Sequence, residues 1–297
     1  MGQPLVVAYG MGVDSTALLV GFAHRGIRPD LILFADTGGE KDETYAYRAV
    51  VNEFLCRSGF PLVTVVRNQV QDYKNWPPYE TLEENCLTNG TLPSIAFGFK
   101  SCSLKWKAAP QNRFLKQWEP AQQAWAAGLK VRKAIGYDAG PADLRRRNHA
   151  GNENDPRYSY WYPLIEWGWD REECKRQIAK AGLPIPPKSS CFFCTAMKPA
   201  EVAPLPQDKL KRIVALEARA RPRLTTTEGL WRKPVKGTRG GTPRPGSMTQ
   251  FIQERNLLPL PVIEAIQRRV PLEIVQNQQR FANGEKTPCW EEFLCSL

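Results

Sequence analysis

Apolar runs and polar intervals alternate regularly over the first sixty residues. Leu5-Val6-Val7-Ala8, Leu31-Ile32-Leu33-Phe34-Ala35 and Leu62-Val63-Thr64-Val65-Val66 are short and almost wholly apolar. Runs of this kind predict strands of a parallel sheet covered on both faces. Between them lie helical patterns. Gly10 to Gly12 reads as a turn, Asp14-Ser15-Thr16 as a helix start before Ala17-Leu18-Leu19-Val20, and Gly26 as that helix's end. Asp36-Thr37-Gly38-Gly39 is the next turn, and Glu43 to Cys56 the next helix. Strands alternating with helices predict an α/β fold, doubly wound, with a mostly parallel sheet and helices on both faces.

Beyond Asn68 the pattern loosens. Residues 68–100 read as irregular, with turn signals at Trp76-Pro77-Pro78 and Asn89-Gly90. A helix is expected from Lys105 to Ala126, interrupted at Pro110 and Pro120. A strand follows from Lys130 to Ile135, ending in Gly136-Tyr137-Asp138, and then a polar loop from Arg145 to Asn154. A helix spans about Asp170 to Ala181. After Lys198 the chain changes character: a basic helix from Asp208 to Arg219, a Gly/Pro/Arg-rich stretch from Lys233 to Pro245 that reads as a mobile loop, and a last helix from Val262 to Phe281. The expected division is a nucleotide-binding α/β domain with a cysteine site over 1–199, and a basic, mainly helical region over 200–297. There is no internal repeat.

Composition narrows the class. The 297 residues are 42% hydrophobic and 24% charged, as in a soluble globular protein. No run approaches the roughly 18 apolar residues of a membrane span. The chain opens directly on a strand-like run without a basic-then-apolar leader, so the cytoplasm is the expected compartment. A net charge of +11 calls for an anionic partner, either nucleic acid or a phosphorylated small molecule. In that setting the eight cysteines do not read as a disulfide framework. Cys56 and Cys174 fall within helical patterns and are expected to be buried, inert thiols. His24 and His149 have no partner pattern for metal or catalysis.

The segment Tyr9-Gly10-Met11-Gly12-Val13-Asp14-Ser15-Thr16 lies between a strand and a helix. Glycines let the backbone approach a phosphate, and free amides at a helix N-terminus favour an anion. Ser15 and Thr16 add hydroxyl donors. A Walker A loop is excluded, because no Gly-Lys-Ser/Thr closes the turn. A Rossmann turn is a rival: Gly10-x-Gly12 follows a strand and Asp36 lies about 20 residues on, but Ser15 stands where a third glycine or alanine belongs. The third reading is a pyrophosphate loop of the form Ser-Gly-Gly-x-Asp-Ser, here Gly10-Met11-Gly12-Val13-Asp14-Ser15. It departs from the pattern at Gly10 and Met11. A plain structural turn is the fourth.

Further blocks follow. The second strand ends Phe34-Ala35-Asp36-Thr37-Gly38-Gly39-Glu40, with Glu43-Thr44 after it. Then come Cys102-Ser103-Leu104-Lys105-Trp106-Lys107, Gly136-Tyr137-Asp138 with Arg145, Tyr162-Pro163-Leu164-Ile165-Glu166-Trp167, and Ser190-Cys191-Phe192-Phe193-Cys194. In this order they resemble the phosphoadenosine-phosphosulfate reductase and N-type ATP pyrophosphatase family (adenine nucleotide alpha hydrolase-like), in its phage and bacterial branch, over residues 4 to 200. The resemblance implies ATP with Mg²⁺ as the bound nucleotide. Its pyrophosphate would lie on Gly10, Met11, Gly12, Val13, Asp14, Ser15 and Thr16. Asp36, Thr37, Gly38, Gly136 and Asp138 would face its ribose, base or metal at the sheet's C-terminal edge. By the same resemblance Asp14, Ser15 and Asp36 carry catalysis, and Lys105, Lys107 and Arg145 contact phosphate or sulfate. Each of those three cations is equally readable as a solvated surface charge.

Cys191-x-x-Cys194 is a two-ligand clip whose spacing lets both thiolates reach one metal centre. Cys102, within a family block, and Cys86 nearby would complete it. Four thiolates suit a [4Fe–4S] cluster or a zinc ion, and the resemblance favours iron–sulfur. The alternative is a CxxC buried as small hydrophobes beside Phe192 and Phe193.

Three functions remain. The first is an ATP pyrophosphatase that adenylates a substrate for sulfur insertion, similar to tRNA-thiolating enzymes and to the ATPase component of bacterial DNA phosphorothioation. Its partners would be nucleic acid, gripped by the arginines and lysines between Arg219 and Arg244, and a cysteine desulfurase or other sulfur donor. The second is a sulfonucleotide reductase with Cys289 or Cys295 as nucleophile, but the Glu-Cys-Gly-(Ile/Leu)-His motif of such reductases is absent. The third is a non-catalytic subunit, gated by nucleotide, in a nucleic-acid modification or defence complex.

Overall fold

A computed structural model describes residues 2–69, 78–93, 95–96, 99–148, 155–237 and 240–297. Pro77, His149, Thr238 and Arg239 lie outside these residues. Along the chain the elements are β1 (Leu5–Ala8), α1 (Val13–His24), β2 (Leu31–Asp36), α2 (Asp42–Arg57), β3 (Val63–Arg67), α3 (Leu82–Asn89), β4 (Ile95–Ala96), β5 (Phe99–Lys100) and α4 (Ser101–Ser103). A π-helical turn (Leu104–Ala108) leads to α5 (Ala109–Gln117), α6 (Glu119–Ala126), β6 (Val131–Ile135), α7 (Pro141–Asn148), β7 (Tyr158–Trp161), α8 (Pro163–Glu166) and α9 (Arg171–Lys180). The remainder is α10 (Pro199–Val202), α11 (Gln207–Ala220), a 3₁₀ turn (Arg221–Arg223), α12 (Met248–Glu254), α13 (Leu260–Ala282) and α14 (Trp290–Cys295). Among the described residues no helix is long and apolar enough to cross a membrane.

The chain divides into two units. The first comprises Met1–Asp36, Glu40–Arg67 and Lys107–Ser189; the second comprises Thr37–Gly39, Asn68–Trp106 and Ser190–Leu297. In the first, five strands form one sheet in the order β3-β2-β1-β6-β7, every pair parallel. The near-continuous apolar strands split between two cores because alternate side chains point to opposite faces. Val7, Ile32, Phe34 and Ala134 pack with α1, α2 and α9 on one face. Val6, Leu31, Leu33, Ala35 and Val131 pack with Leu115 and Ala121 of α5 and α6 on the other. This is a doubly wound α/β fold. The strand order reverses between β1 and β6, and such a switch point opens a crevice at the strands' C-terminal ends.

The second unit is mainly helical and basic. Leu82 and Leu87 of α3 pack with Trp106, the Phe192-Phe193 pair and the apolar faces of α11, α12, α13 and α14 in one core. Glu217 of α11 is buried there and organises the segments around it. Its carboxylate accepts from the amides of Leu230 (2.6 Å), Met248 (2.9 Å) and Thr249 (2.8 Å), and from the Ser247 hydroxyl (2.5 Å).

Several expectations need correction. Residues 68–100 contain α3 and the β4–β5 ladder rather than only irregular chain. The helical stretch after Lys105 breaks at Trp118, not at its prolines. Pro110 and Pro120 each sit in a first helical turn, where the missing N–H leaves no bond unmade. Arg145 is on α7, not in a loop. Cys56 is exposed on α2, because that helix buries Thr44, Tyr47, Val51, Phe54 and Leu55 instead. Cys174 is buried, and burial raises its thiol pKa.

Candidate functional site

The turn after β1 is built from its own side chains. The hydroxyls of Tyr9 and Thr16, both buried, meet at 3.1 Å and tie the turn's entry to the helix that leaves it. Met11 is fully buried and has φ 55°, the left-handed conformation that glycine adopts with less strain. The residue that departs from the Ser-Gly-Gly-x-Asp-Ser pattern therefore keeps a glycine-like backbone. Gly12 precedes the helix in an extended conformation, and a Cβ there would lie 2.8 Å from the Ser189 hydroxyl. The Ser15 hydroxyl folds back into the turn, accepting from the amides of Gly10 (3.2 Å) and Gly12 (3.3 Å). Val13, Asp14 and Ser15 supply the first-turn amides that have no partner within a helix and that attract anions.

Gly136, at the end of β6, meets this turn. A Cβ on Gly136 would lie 2.8 Å from the Ser15 amide nitrogen and 2.9 Å from its Cα. Only glycine permits that approach, so the β1–α1 turn and the β6 end form one wall at the switch point. Beyond it Asp138 and Asp143 face Asp14, with one carboxylate oxygen from each residue lying within 4.8 Å of the others. Asp143 accepts from the Asp138 amide (3.2 Å) and pairs with Arg146 (2.7 Å), while Asp138 accepts from the Gly140 amide (2.8 Å). Asp14 Oδ2 pairs with Arg171 Nη1 at 2.5 Å, whereas its buried Oδ1 has no hydrogen-bond partner. Burial raises the Asp14 pKa, with Arg171 opposing that rise. Three carboxylates that each offer a hard oxygen donor, with the buried Asp14 Oδ1 unpartnered, fit a Mg²⁺ ion.

Asp36 lies buried at the end of β2, already engaged. It accepts from the Tyr45 hydroxyl at 2.7 Å and from Arg67 at 2.9 and 2.7 Å. Lys107 pairs with the buried Glu40 at 2.9 Å. Lys105 is exposed on the π-helical turn of the second unit, its Nζ 5.9 Å from the Trp106 ring centre. Arg145 is exposed in the last turn of α7.

In the second unit Cys86 and Cys191 are buried in one apolar cluster, with the partly exposed Cys102 and Cys194 packed against it. Cys191 Sγ lies 3.1 Å from the Thr37 hydroxyl. Gly38 takes φ 71°, so the Asp36–Gly39 turn leads Thr37 to that sulfur. Burial raises the Cys86 thiol pKa, followed in effect by Glu83, Cys102 and Cys191, while Lys105 opposes the rise. Cys102 and Cys191 are thus both within electrostatic reach of Cys86. Among the described residues no three of these sulfurs lie within 4.8 Å. A zinc tetrahedron with 2.3 Å bonds needs edges of about 3.8 Å. Four thiolates are the donor set that an iron–sulfur cluster takes.

Four residues of these two centres had not been singled out from the sequence. Asp143 stands five positions after Asp138 and was readable as a second carboxylate. Arg171 left no local signal, nor did the fully buried Glu83 and its partner Arg212 (2.9 Å) beside Cys86. Of the tail arginines, Arg219 donates to the Leu87 carbonyl (3.0 Å), Arg223 to that of Asn89, and Arg244 lies over the Trp231 ring (4.9 Å). No family model matches the chain, and no curated protein matches it.

Proposed function

We propose that this chain is an ATP pyrophosphatase that adenylates an acceptor for sulfur insertion, the acceptor being nucleic acid, as in DNA phosphorothioation or tRNA thiolation. One observation carries the reading: the glycine turn at the switch point meets three converging carboxylates, Asp14, Asp138 and Asp143. A nucleoside triphosphate needs both halves, amides for its oxygens and hard ligands for its metal. The resemblance to the ATP pyrophosphatase family points the same way, because Asp14, Gly136 and Asp138 belong to its blocks.

Mg²⁺ held by Asp14, Asp138 and Asp143 would withdraw charge from the triphosphate and lower the barrier to attack at the α-phosphorus. The first-turn amides of α1 orient the β- and γ-phosphates. Arg171, paired with Asp14 at 2.5 Å, would turn to the phosphate oxygens. An acceptor oxygen attacks the α-phosphorus, the α–β bridging bond breaks, and its electron pair leaves with pyrophosphate. A sulfur nucleophile from a donor protein of the cysteine desulfurase class then displaces AMP. Cys86, Cys102, Cys191 and Cys194 would hold an iron–sulfur cluster, which supplies sulfur-binding and redox chemistry. The +11 charge suits a polyanionic acceptor.

The test is product analysis with ATP labelled at the α- and γ-positions, in the presence of Mg²⁺ and nucleic acid. Pyrophosphate and AMP are the expected products. ADP with orthophosphate, or no turnover with any nucleic acid, would overturn the assignment.

A further inference from the structure

A nucleic-acid acceptor needs a surface on the protein for its bases and its phosphates. Of the tail arginines, Arg219 and Arg223 donate to protein carbonyls and Arg244 lies over the Trp231 ring. A different surface in the first unit has the required chemistry. Tyr137 follows Gly136 at the end of β6, held in a tight turn by its amide donating to the Ile135 carbonyl at 2.9 Å. Tyr162 follows β7, the edge strand of the sheet. The two rings stack with centroids 5.5 Å apart and planes 22° from parallel, and both are partly exposed.

Other aromatic rings of this edge lie against cations: Arg132 is 3.8 Å from the Trp161 ring centre and Lys133 is 3.8 Å from that of Tyr158. Beside Tyr137 and Tyr162, α7 presents Arg145, Arg146 and Arg147 in its last turn, all exposed. The Asp138 amide, next to Tyr137, donates to Asp143 of α7 at 3.2 Å, and the same carboxylate pairs with Arg146 at 2.7 Å. Planar rings beside guanidinium groups form the combination that binds unpaired nucleotides, one taking the base faces and the other the phosphates. A paired base presents no free face to such rings.

Topology gives the surface its role. β1 is the central strand, with β2 and Asp36 on one side and β6 and β7 on the other. A nucleotide on the β1–α1 turn with its ribose toward Asp36 leaves the β6–β7 side of the crevice open to a second reactant. We propose that Tyr137, Tyr162 and the arginines of α7 bind an unpaired stretch of the acceptor nucleic acid and set it beside the triphosphate. This rests on the proposed function only for the identity of the acceptor.

The experiment is fluorescence anisotropy of the full chain with labelled oligo(dT), oligo(U) and a duplex, each about 20 nucleotides long. Tighter binding of one or both single strands than of duplex is expected, the preferred strand distinguishing DNA from RNA. Tyr137→Leu with Tyr162→Leu should weaken that binding roughly tenfold or more, while Tyr137→Phe with Tyr162→Phe retains it, since stacking needs the ring and not the hydroxyl. Arg145→Ala with Arg147→Ala, a second variant on a solvent-facing helix surface, should weaken binding and flatten its salt dependence. Equal affinity for duplex, unchanged binding by the Leu pair, or loss in the Phe pair as great as in the Leu pair would each overturn the proposal. ATP binding by the unaltered protein is measured separately: its absence counts against the pyrophosphatase reading and leaves the oligonucleotide result standing.

Discussion

Arg171 Nη1 lies 2.5 Å from Asp14 Oδ2, joining residues 157 positions apart across the mouth of the β1–α1 turn. Asp14 is half-buried beside two other carboxylates, and burial raises its pKa. The guanidinium therefore acts as the counter-charge of Asp14 at the place where the proposed Mg²⁺ would bind. Replacing Arg171 with Met should change stability by less than about 1 kcal/mol, because the pair is partly solvated. Pyrophosphate release should fall roughly a hundredfold if the guanidinium reaches the phosphates. Thermal melting and turnover, measured on the same sample, check both halves.

Met11 sets two effects against each other. Relieving a left-handed non-glycine residue is worth roughly 1–2 kcal/mol, while emptying a fully buried Met site costs about 2–5 kcal/mol. Burial wins. Met11→Gly should lower stability by about 1–3 kcal/mol and still bind ATP, since the backbone shape is kept. Urea denaturation and a nucleotide titration give the two readings.

Lys133 is buried in β6, bonded to Asn112 and set over the Tyr158 ring at 3.8 Å. Burial lowers its pKa from 10.5 to about 8. The unfolded chain keeps this proton up to higher pH than the folded one, so stability should rise as pH increases from about 8 to about 10.5. Lys133→Met should remove that rise and stabilise the protein by about 1–2 kcal/mol near neutral pH. Denaturation midpoints across the range test it, and an unchanged slope in the variant would contradict it.

The cysteine centre makes a metal prediction. Cys191→Ala with Cys194→Ala should reduce bound metal to background, whereas Cys56→Ser, exposed on α2, should leave it intact. Iron, sulfide and zinc analysis after anaerobic purification decides, and normal metal in the double variant would make these thiols structural.

Much of the first unit was legible because its strands are apolar on both faces. Leu5–Ala8 and Leu31–Asp36 need no partner information to be read as interior strands. α3 carries a readable signal: Thr81 accepts from the Glu84 amide while Glu84 reaches back to the Thr81 amide, a capping box written as Thr-x-x-Glu. α7 was hidden because of its eight residues only Asp143 is buried, so it lacks an apolar stripe. β7 was hidden by its Tyr-Ser-Tyr-Trp sequence, in which only Tyr158 is buried and no apolar run forms. Of the carboxylate triad, Asp14 and Asp138 were visible in their motifs. Arg171 was not, because its partner is made by the fold and not by spacing. The approach of Cys102 and Cys191 to Cys86 likewise depends on α3 and Trp106 packing with the C-terminal helices, which no local pattern encodes.

The most direct measurement is calorimetric titration of ATP with Mg²⁺ into the unaltered protein and into the Asp14→Ala, Ser15→Ala double variant, with melting curves to establish that both are folded. The account predicts saturable binding by the unaltered protein that depends on the divalent cation, and a loss of roughly a hundredfold or more in the variant. Equal affinity in the two folded proteins would contradict it and remove the β1–α1 turn as the nucleotide site.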